Sequence, residues 1–358
     1  MKTIPVTKTF LPPKEEYLQY LNRAWDKEWI TNNGELVQEL EARLLEYLQL
    51  PFMSYVTNGT IALQLAIKAL GLKGEIITTP FSYVATTSSI VWEGCRPVFV
   101  DIDSETFNID PNKIEEAITS KTSAILATHV YGNPCDIDAI HKIAKKHNLK
   151  VIYDAAHAFG TRYKGKSVFA FGDVSTCSFH ATKLFHTVEG GAIFCNEEKL
   201  WKRVRYMRNF GHDGPENFNG VGINGKNSEF HAAMGLANLK YIDAIQSKRK
   251  EQWLNYKARL DSKSLQLLKI QPECSFNFAY FPVVFENEEC LLMVEKVLKS
   301  HGIYPRRYFY PLLSSLEYID SRSKLEIANR LAPRVLCLPL YHNIDLNEIR
   351  LVCDIINH

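Results

Sequence analysis

The chain has 358 residues, of which 46% are hydrophobic and 23% charged, with a net charge of +2. This composition excludes a disordered chain, and the near-neutral balance gives no broad basic field for nucleic acid. The opening stretch MKTIPVTKTF has no signal-peptide core and no apolar run reaches membrane-spanning length, so a cytoplasmic protein that does not engage membranes is expected.

An amphipathic helix is expected over PKEEYLQYLNRAW. WITNNG reads as a turn, and ELVQELEARLLEYL as a second helix with Leu36, Leu40 and Leu44 on its core face. From about residue 53, strands and helices alternate. MSYV is a strand, TIALQLAIKALG a helix ended by Gly71, and EIITT and RPVFVDID are strands. Asp110 and Pro111 should cap and start a helix over PNKIEEAI. SAILATHV, KVIYDAA, VSTCSF and GAIFCN follow as strands, with the helix IDAIHKIAKKHN among them. Continuous apolar strands between helices argue for an α/β fold with a mostly parallel sheet covered on both faces.

One long helix from SEFHAAMGLANLKYIDAI should lead into a second part. That part holds a strand in NFAYFPVVF, a helix over EECLLMVEKVLKSHG, a strand near VLCLPLY and a last helix, LNEIRLVCDIIN. The expected division is an N-terminal segment with a large α/β domain over 1–250 and a small α+β domain over 251–358. Cys95, Cys135, Cys177, Cys195, Cys274, Cys290, Cys337 and Cys353 are scattered and form no CxxC pair. They fit reduced thiols better than a disulfide framework or a zinc site.

Four constellations lie at turns beside the strands, where open α/β sheets bind ligands. In TNGTIAL, Gly59 lets backbone approach a ligand, and Thr60 and the free N–H groups of the next helix could hold a phosphate. The plainer reading is a helix cap. In VIYDAAHAFG, Asp154 ends a strand as a cap or as a carboxylate aimed at a positive group, with His157 one helical turn on. In SFHATK, Ser178 closes a strand five residues before Lys183. A desolvated lysine is a nucleophilic amine that captures aldehydes, whereas an ordinary one reaches out to solvent. His180 and His186 flank it and receive no role. In TTPFSYVATTSS, the ring of Tyr83 could lie on a planar ligand or pack in the core. Together, a phosphate cradle, a strand-end carboxylate, an aromatic plate and a serine five residues before a lysine meet the needs of pyridoxal 5'-phosphate.

These motifs, in this order, resemble the DegT/StrS-type sugar aminotransferases, whose fold is the fold-type I architecture of pyridoxal-phosphate (PLP) enzymes such as aspartate aminotransferase. TNGTIAL, TTPFSYVAT, THVYGNPCDID, DAAHAFG, SFHATKLFHTVEGG, GINGKNSEFHAAMGLANL and LCLPLY each match a family motif, nearly end to end. The resemblance implies that Lys183 holds the cofactor as an imine and Asp154 pairs with its ring nitrogen. His157 would lie near the phenolic oxygen, and Tyr83 would stack on the ring. Gly59, Thr60 and Ser178 would bind the phosphate. Asn224 matches a residue supplied by the neighbouring subunit, which implies a homodimer with shared active sites. Asn58, Lys226 and His342 stand where the family usually has Ser, Arg and Pro. Lys183 is intact, unlike in the family's dehydratase relatives, where histidine replaces it.

The resemblance further implies transfer of an amino group from L-glutamate to a nucleotide-linked ketosugar. The favoured acceptor is dTDP-4-dehydro-6-deoxy-D-glucose, on the way to an O-antigen or other surface glycan. Alternatives are a 3-keto-6-deoxyhexose or a UDP- or GDP-linked 4-keto sugar. Arg306 and Arg307 in YPRRYFYPLL are candidates for diphosphate contact, or simply surface charge. A different class, a non-catalytic regulator on the same fold, is disfavoured by the presence of both Lys183 and Asp154.

Overall fold

A computed structural model describes residues 3–261, 264–319 and 323–357. Met1, Lys2 and His358, at the ends of the expected domain ranges, lie outside the described residues. The centre is a seven-stranded sheet. Its strands in chain order are β1 (Phe52–Val56), β2 (Glu75–Thr78), β3 (Arg96–Phe99), β4 (Thr122–Thr128), β5 (Lys150–Asp154), β6 (Val174–Ser178) and β7 (Gly191–Cys195). Their spatial order is β1-β7-β6-β5-β4-β2-β3. β7 runs antiparallel to both neighbours, and the other pairs are parallel. Ile125, Tyr153, Cys177 and Phe194 of the strands join one buried cluster, while Ala124, Ile152, Val174 and Ile193 join another. Both faces of the sheet are thus covered, which is why its strands read as largely apolar rather than alternating.

The helix Glu35–Leu48 buries Leu36, Leu40 and Leu44 as its spacing predicts. It packs on the helix Glu229–Leu239, and the buried Glu229 carboxylate accepts the Leu36 N–H (2.6 Å) and the Val37 N–H (3.2 Å). A carboxylate from far along the chain therefore caps the helix, because Gly34 has no side chain to do so. Gly71, with φ +68°, ends the turn after the helix Gly59–Ala69.

Three expectations need correction. PNKIEEAI is not an α-helix but two short 3₁₀ turns, Pro111–Lys113 and Glu115–Ala117, although Asp110 does cap the first. Ile114 is its one fully buried residue, too little apolar surface to anchor a longer helix. The single long helix is two, Glu229–Leu239 and Ile242–Arg259, separated at Lys240 and Tyr241. Within NFAYFPVVF only Phe281–Val284 forms a strand.

The helix Ile242–Arg259 runs through the expected division at 250/251. Beyond it, Gln266–Leu267, Phe281–Val284 and Val335–Leu338 form a small antiparallel sheet, with Phe281–Val284 in the middle. Leu291, Leu298, Ile349 and Val352 of the helices Glu288–Ser300 and Leu346–Asn357 pack with Phe281, Leu336 and Trp253 in a core of their own. Ile4 belongs to this core and pairs with Ile303, so the chain's start is tied to its C-terminal part. All eight cysteines are free. Among the described residues there is no cluster able to hold a metal ion, and no helix is long and apolar enough to cross a membrane.

Candidate active site

A cavity of about 490 Å³ opens at the carboxyl ends of β5 and β6. It is lined by Gly59, Thr60, Tyr83, Asp154, His157, Ser178, Lys183 and Arg306, which sequence reasoning had singled out separately. The parallel strands explain the meeting. Asp154 and Ser178 terminate neighbouring strands, and the turns after them face the same side of the sheet.

The turn at Asn58 is built for close approach. The Asn58 side chain accepts the Ile61 N–H at 2.9 Å, so the cap reading holds. Gly59 and Thr60 of that first helical turn line the cavity. A Cβ added at Gly59 would lie 2.9 Å from the Ser178 Cβ. One added at Gly191 would lie 2.5 Å from the Asn58 carbonyl. Two glycines thus let the helix start, Ser178 and β7 converge on one small space.

Lys183 sits in the 179–190 loop. Its N–H donates to the His180 carbonyl (2.8 Å), and the loop is pinned where the Phe179 N–H donates to the Gly190 carbonyl and the Thr187 N–H to the Phe179 carbonyl. Its ammonium has no hydrogen-bond or ion-pair partner among the described residues. Burial holds Lys183 below the ordinary lysine range, and the Asp154 charge works against that shift. Burial in turn raises Asp154, opposed by the Thr86 hydroxyl, the Ala156 N–H and Lys183. The Thr86 Oγ1 donates to Asp154 Oδ2 at 2.7 Å, and the Ala156 N–H reaches Oδ1 at 3.2 Å.

The His157 ring is stacked on Phe309 (centroids 5.4 Å, 12° apart) and meets Tyr280 edge-on. Burial keeps it neutral, and its Nδ1 has no hydrogen-bond partner among the described residues. Tyr83 precedes the helix Val84–Trp92 at the cavity wall, 55% exposed and with no aromatic ring packed on it among the described residues.

Arg306 and Arg307 diverge. Arg306 lines the cavity, its guanidinium 4.8 Å from the Tyr308 ring centre and without a carboxylate partner among the described residues. Arg307 is turned away. It donates to Glu288 (2.6 Å) and to the Pro333 carbonyl (2.9 Å), and it lies over the Tyr310 ring. Asn224 does not line this cavity, and its Oδ1 accepts from Lys226 at 2.7 Å. His180 and Thr182 line the mouth, while His186 is buried against the Phe10 carbonyl (2.6 Å).

Sequence reasoning missed Thr86, Tyr280 and Phe309. Thr86 had a signal, since it lies three residues after Tyr83, almost one helical turn away.

The residues present fit pyridoxal phosphate. A cradle exists that a single Cβ would fill, together with an ammonium, a buried carboxylate and an imidazole Nδ1 that have, among the described residues, no ion-pair partner for the first two and no hydrogen-bond partner for the third. The sequence profile of the DegT/DnrJ/EryC1/StrS aminotransferase family matches residues 13–357. The chain belongs to this family. Family members are PLP-dependent aminotransferases acting on sugars.

The chain is 44% identical over 346 residues to a dTDP-4-amino-4,6-dideoxy-D-glucose transaminase of Shigella dysenteriae, covering 95% of this chain and 94% of that one. It is 43% identical over 364 residues to the Escherichia coli protein of the same description, covering 97% and 95%. Among solved structures, DesI in the presence of its TDP-sugar product aligns over 100% of this chain and 93% of its own. The TM-score there is 0.95, at 33% identity. The expected fold-type I architecture and the transaminase reading both stand.

Proposed function

We propose that this aminotransferase moves the amino group of L-glutamate to C4 of dTDP-4-dehydro-6-deoxy-D-glucose, with pyridoxal phosphate as cofactor, to give dTDP-4-amino-4,6-dideoxy-D-glucose. The observation that carries the reading is one cavity uniting a desolvated lysine with a buried carboxylate, in a chain 44% identical to a transaminase described by that product.

Pyridoxal phosphate would supply an aldehyde to receive the amino group and a protonated ring to draw electrons from the substrate carbon. Gly59, Thr60 and Ser178 would hold its phosphate, with the first-turn amides of the helix Gly59–Ala69 adding their partial positive charge. Tyr83 would cover the ring. Asp154 would hold the ring nitrogen's proton. His157, kept neutral, would direct its free nitrogen to the cofactor's oxygen side. Lys183 would capture the aldehyde when resting. Once displaced by glutamate, its free amine would take the proton from the donor α-carbon, and in the second half-reaction it would return one to C4 of the sugar. Arg306, which lines the cavity without a carboxylate partner among the described residues, suits the nucleotide diphosphate.

A homodimer is part of the same proposal. Asn224 lies outside the cavity of its own chain, in a segment that leaves Phe218 65% and Val221 77% exposed. Covering these apolar side chains with a second copy would let Asn224 of one subunit serve the phosphate of the other.

The test is product analysis. Protein, pyridoxal phosphate, L-glutamate and dTDP-4-dehydro-6-deoxy-D-glucose are incubated, and the sugar is examined by NMR. An equatorial amine at C4 is expected. Turnover only of a 3-keto sugar, or only of a GDP- or UDP-linked 4-keto sugar, would move the reading to those acceptors. No turnover of any of them would favour a non-catalytic protein.

A further inference from the structure

Three hydroxyls behind Asp154 form a file. Thr128 ends β4 directly opposite Asp154 in the sheet register. Its Oγ1 donates to Ser82 Oγ at 3.1 Å. Ser82 Oγ lies 2.8 Å from Thr86 Oγ1, and Thr86 donates to Asp154 Oδ2 at 2.7 Å. Ser82, Thr86 and Thr128 are 2%, 0% and 1% exposed, so water does not compete for these bonds.

The proton count fixes the direction. A hydroxyl has one proton to donate. An ionised Asp154 has none, so Thr86 spends its proton on Oδ2. The Ser82–Thr86 bond must then use the proton of Ser82, and the Thr128–Ser82 bond the proton of Thr128. All three point toward the carboxylate. If Oδ2 carried a proton and gave it to Thr86, the file would reverse. Thr128 would then hold a buried proton with no acceptor, since its hydroxyl has no second partner among the described residues. Hydrogen bonds aligned head to tail also polarise one another, which strengthens the last one.

We propose that Thr128, Ser82 and Thr86 form a one-way hydroxyl chain that orients Asp154 and keeps it anionic, leaving Oδ1, which among the described residues takes only the Ala156 N–H, for the protonated ring nitrogen of the cofactor. The cofactor part of this proposal rests on the function proposed above. The carboxylate part stands by itself. Thr86, Ser82 and Thr128 are positioning residues, because they act only through Asp154.

The other ionisable groups around Asp154 cannot replace the chain. Cys135 and Cys177 are thiols that burial pushes up, and His157 is neutral. Lys183 is, among the described residues, the charge that acts on it, and that amine must be neutral for part of each cycle.

The test uses the full chain with Thr86→Val, which keeps the shape and removes the donor, and Thr86→Ser, which restores it. The carboxyl band of Asp154 is followed by infrared pH titration of cofactor-free protein, with Asp154→Asn as the spectral blank. Thr86→Val should raise the protonation midpoint by about one pH unit or more, and Thr86→Ser should bring it back. The same proteins are titrated with pyridoxal phosphate. Thr86→Val should weaken binding by about tenfold or more, and the acid limb of kcat should move to higher pH. An unchanged midpoint in Thr86→Val would overturn the hydroxyl chain. A shifted midpoint with no cofactor binding by the unaltered chain would uphold it and sink the pyridoxal-phosphate reading instead.

Discussion

Gly59 faces Ser178 so closely that a methyl group on residue 59 would lie 2.9 Å from the Ser178 Cβ. The neighbouring contact is the Ser178 backbone, at 3.3 Å from the same point, so no flexible side chain can yield. Gly59→Ala should therefore push the helix start away from β6, at a cost of about 1–3 kcal/mol. Affinity for pyridoxal phosphate should fall by more than the loss of stability explains, because the displaced amides and Ser178 form the phosphate cradle proposed above. Cofactor titration beside a denaturant melt separates the two effects, and normal affinity in Gly59→Ala would show that the cradle lies elsewhere.

Lys183 is held below the ordinary lysine range by burial. Its neutral, nucleophilic form therefore appears at lower pH than that of surface lysines, and is lost as pH falls through the lowered value. Borohydride reduction in the presence of pyridoxal phosphate, followed by peptide mapping, should label Lys183 first at neutral pH. Surface lysines such as Lys202, tied to Glu198 at 2.8 Å and shifted upward, should label only in more alkaline solution. Equal labelling of both at neutral pH would contradict the desolvated site.

Much of this was legible because the chemistry sits at strand ends. KVIYDAA and VSTCSF each supply a largely buried strand, and the polar residue that ends each one, Asp154 or Ser178, marks where the strand leaves the core. Parallel neighbours place such ends side by side, so a sequence reader can assemble the floor of the cavity. Its walls are another matter. Phe309, stacked on His157, comes from a segment some 150 positions away, and no local pattern announces that contact. Arg306 and Arg307 are adjacent in sequence and were equal candidates, yet the backbone bonds between Arg306 and Cys337 turn one side chain to the cavity and the other to Glu288. The break between the helices at Lys240 and Tyr241 carries no glycine or proline. Tyr241 is drawn aside by Glu16 and Phe10, partners no local pattern reveals.

That divergence of the two arginines makes a prediction. Arg306→Ala should raise KM for the nucleotide sugar by about tenfold or more while leaving the glutamate half-reaction near normal, as expected when a charge-assisted bond to a diphosphate is lost. Arg307→Ala should leave KM unchanged and lower stability instead, since it frees Glu288 and strips a partner from the Pro333 carbonyl. Steady-state kinetics and urea melts on both variants decide it. The reverse pattern would assign the substrate contact to Arg307.

The cap at Asn58 offers a separate check on the helix start. Asn58→Ala removes the bond to the Ile61 N–H and should cost about 1 kcal/mol, whereas Asn58→Ser, the residue usual in the family, should cost much less. A urea melt measures both. Equal stability of Asn58→Ala and the unaltered chain would mean that water caps the helix as well as the side chain does.

The most direct test of the central claim is the visible absorption spectrum of the purified chain reconstituted with pyridoxal phosphate, recorded before and after L-glutamate, with Lys183→Ala in parallel. The account predicts a yellow band that glutamate bleaches and that dTDP-4-dehydro-6-deoxy-D-glucose restores, and no such band in Lys183→Ala. A chain that forms no band with added pyridoxal phosphate, or whose band glutamate leaves untouched, would contradict it.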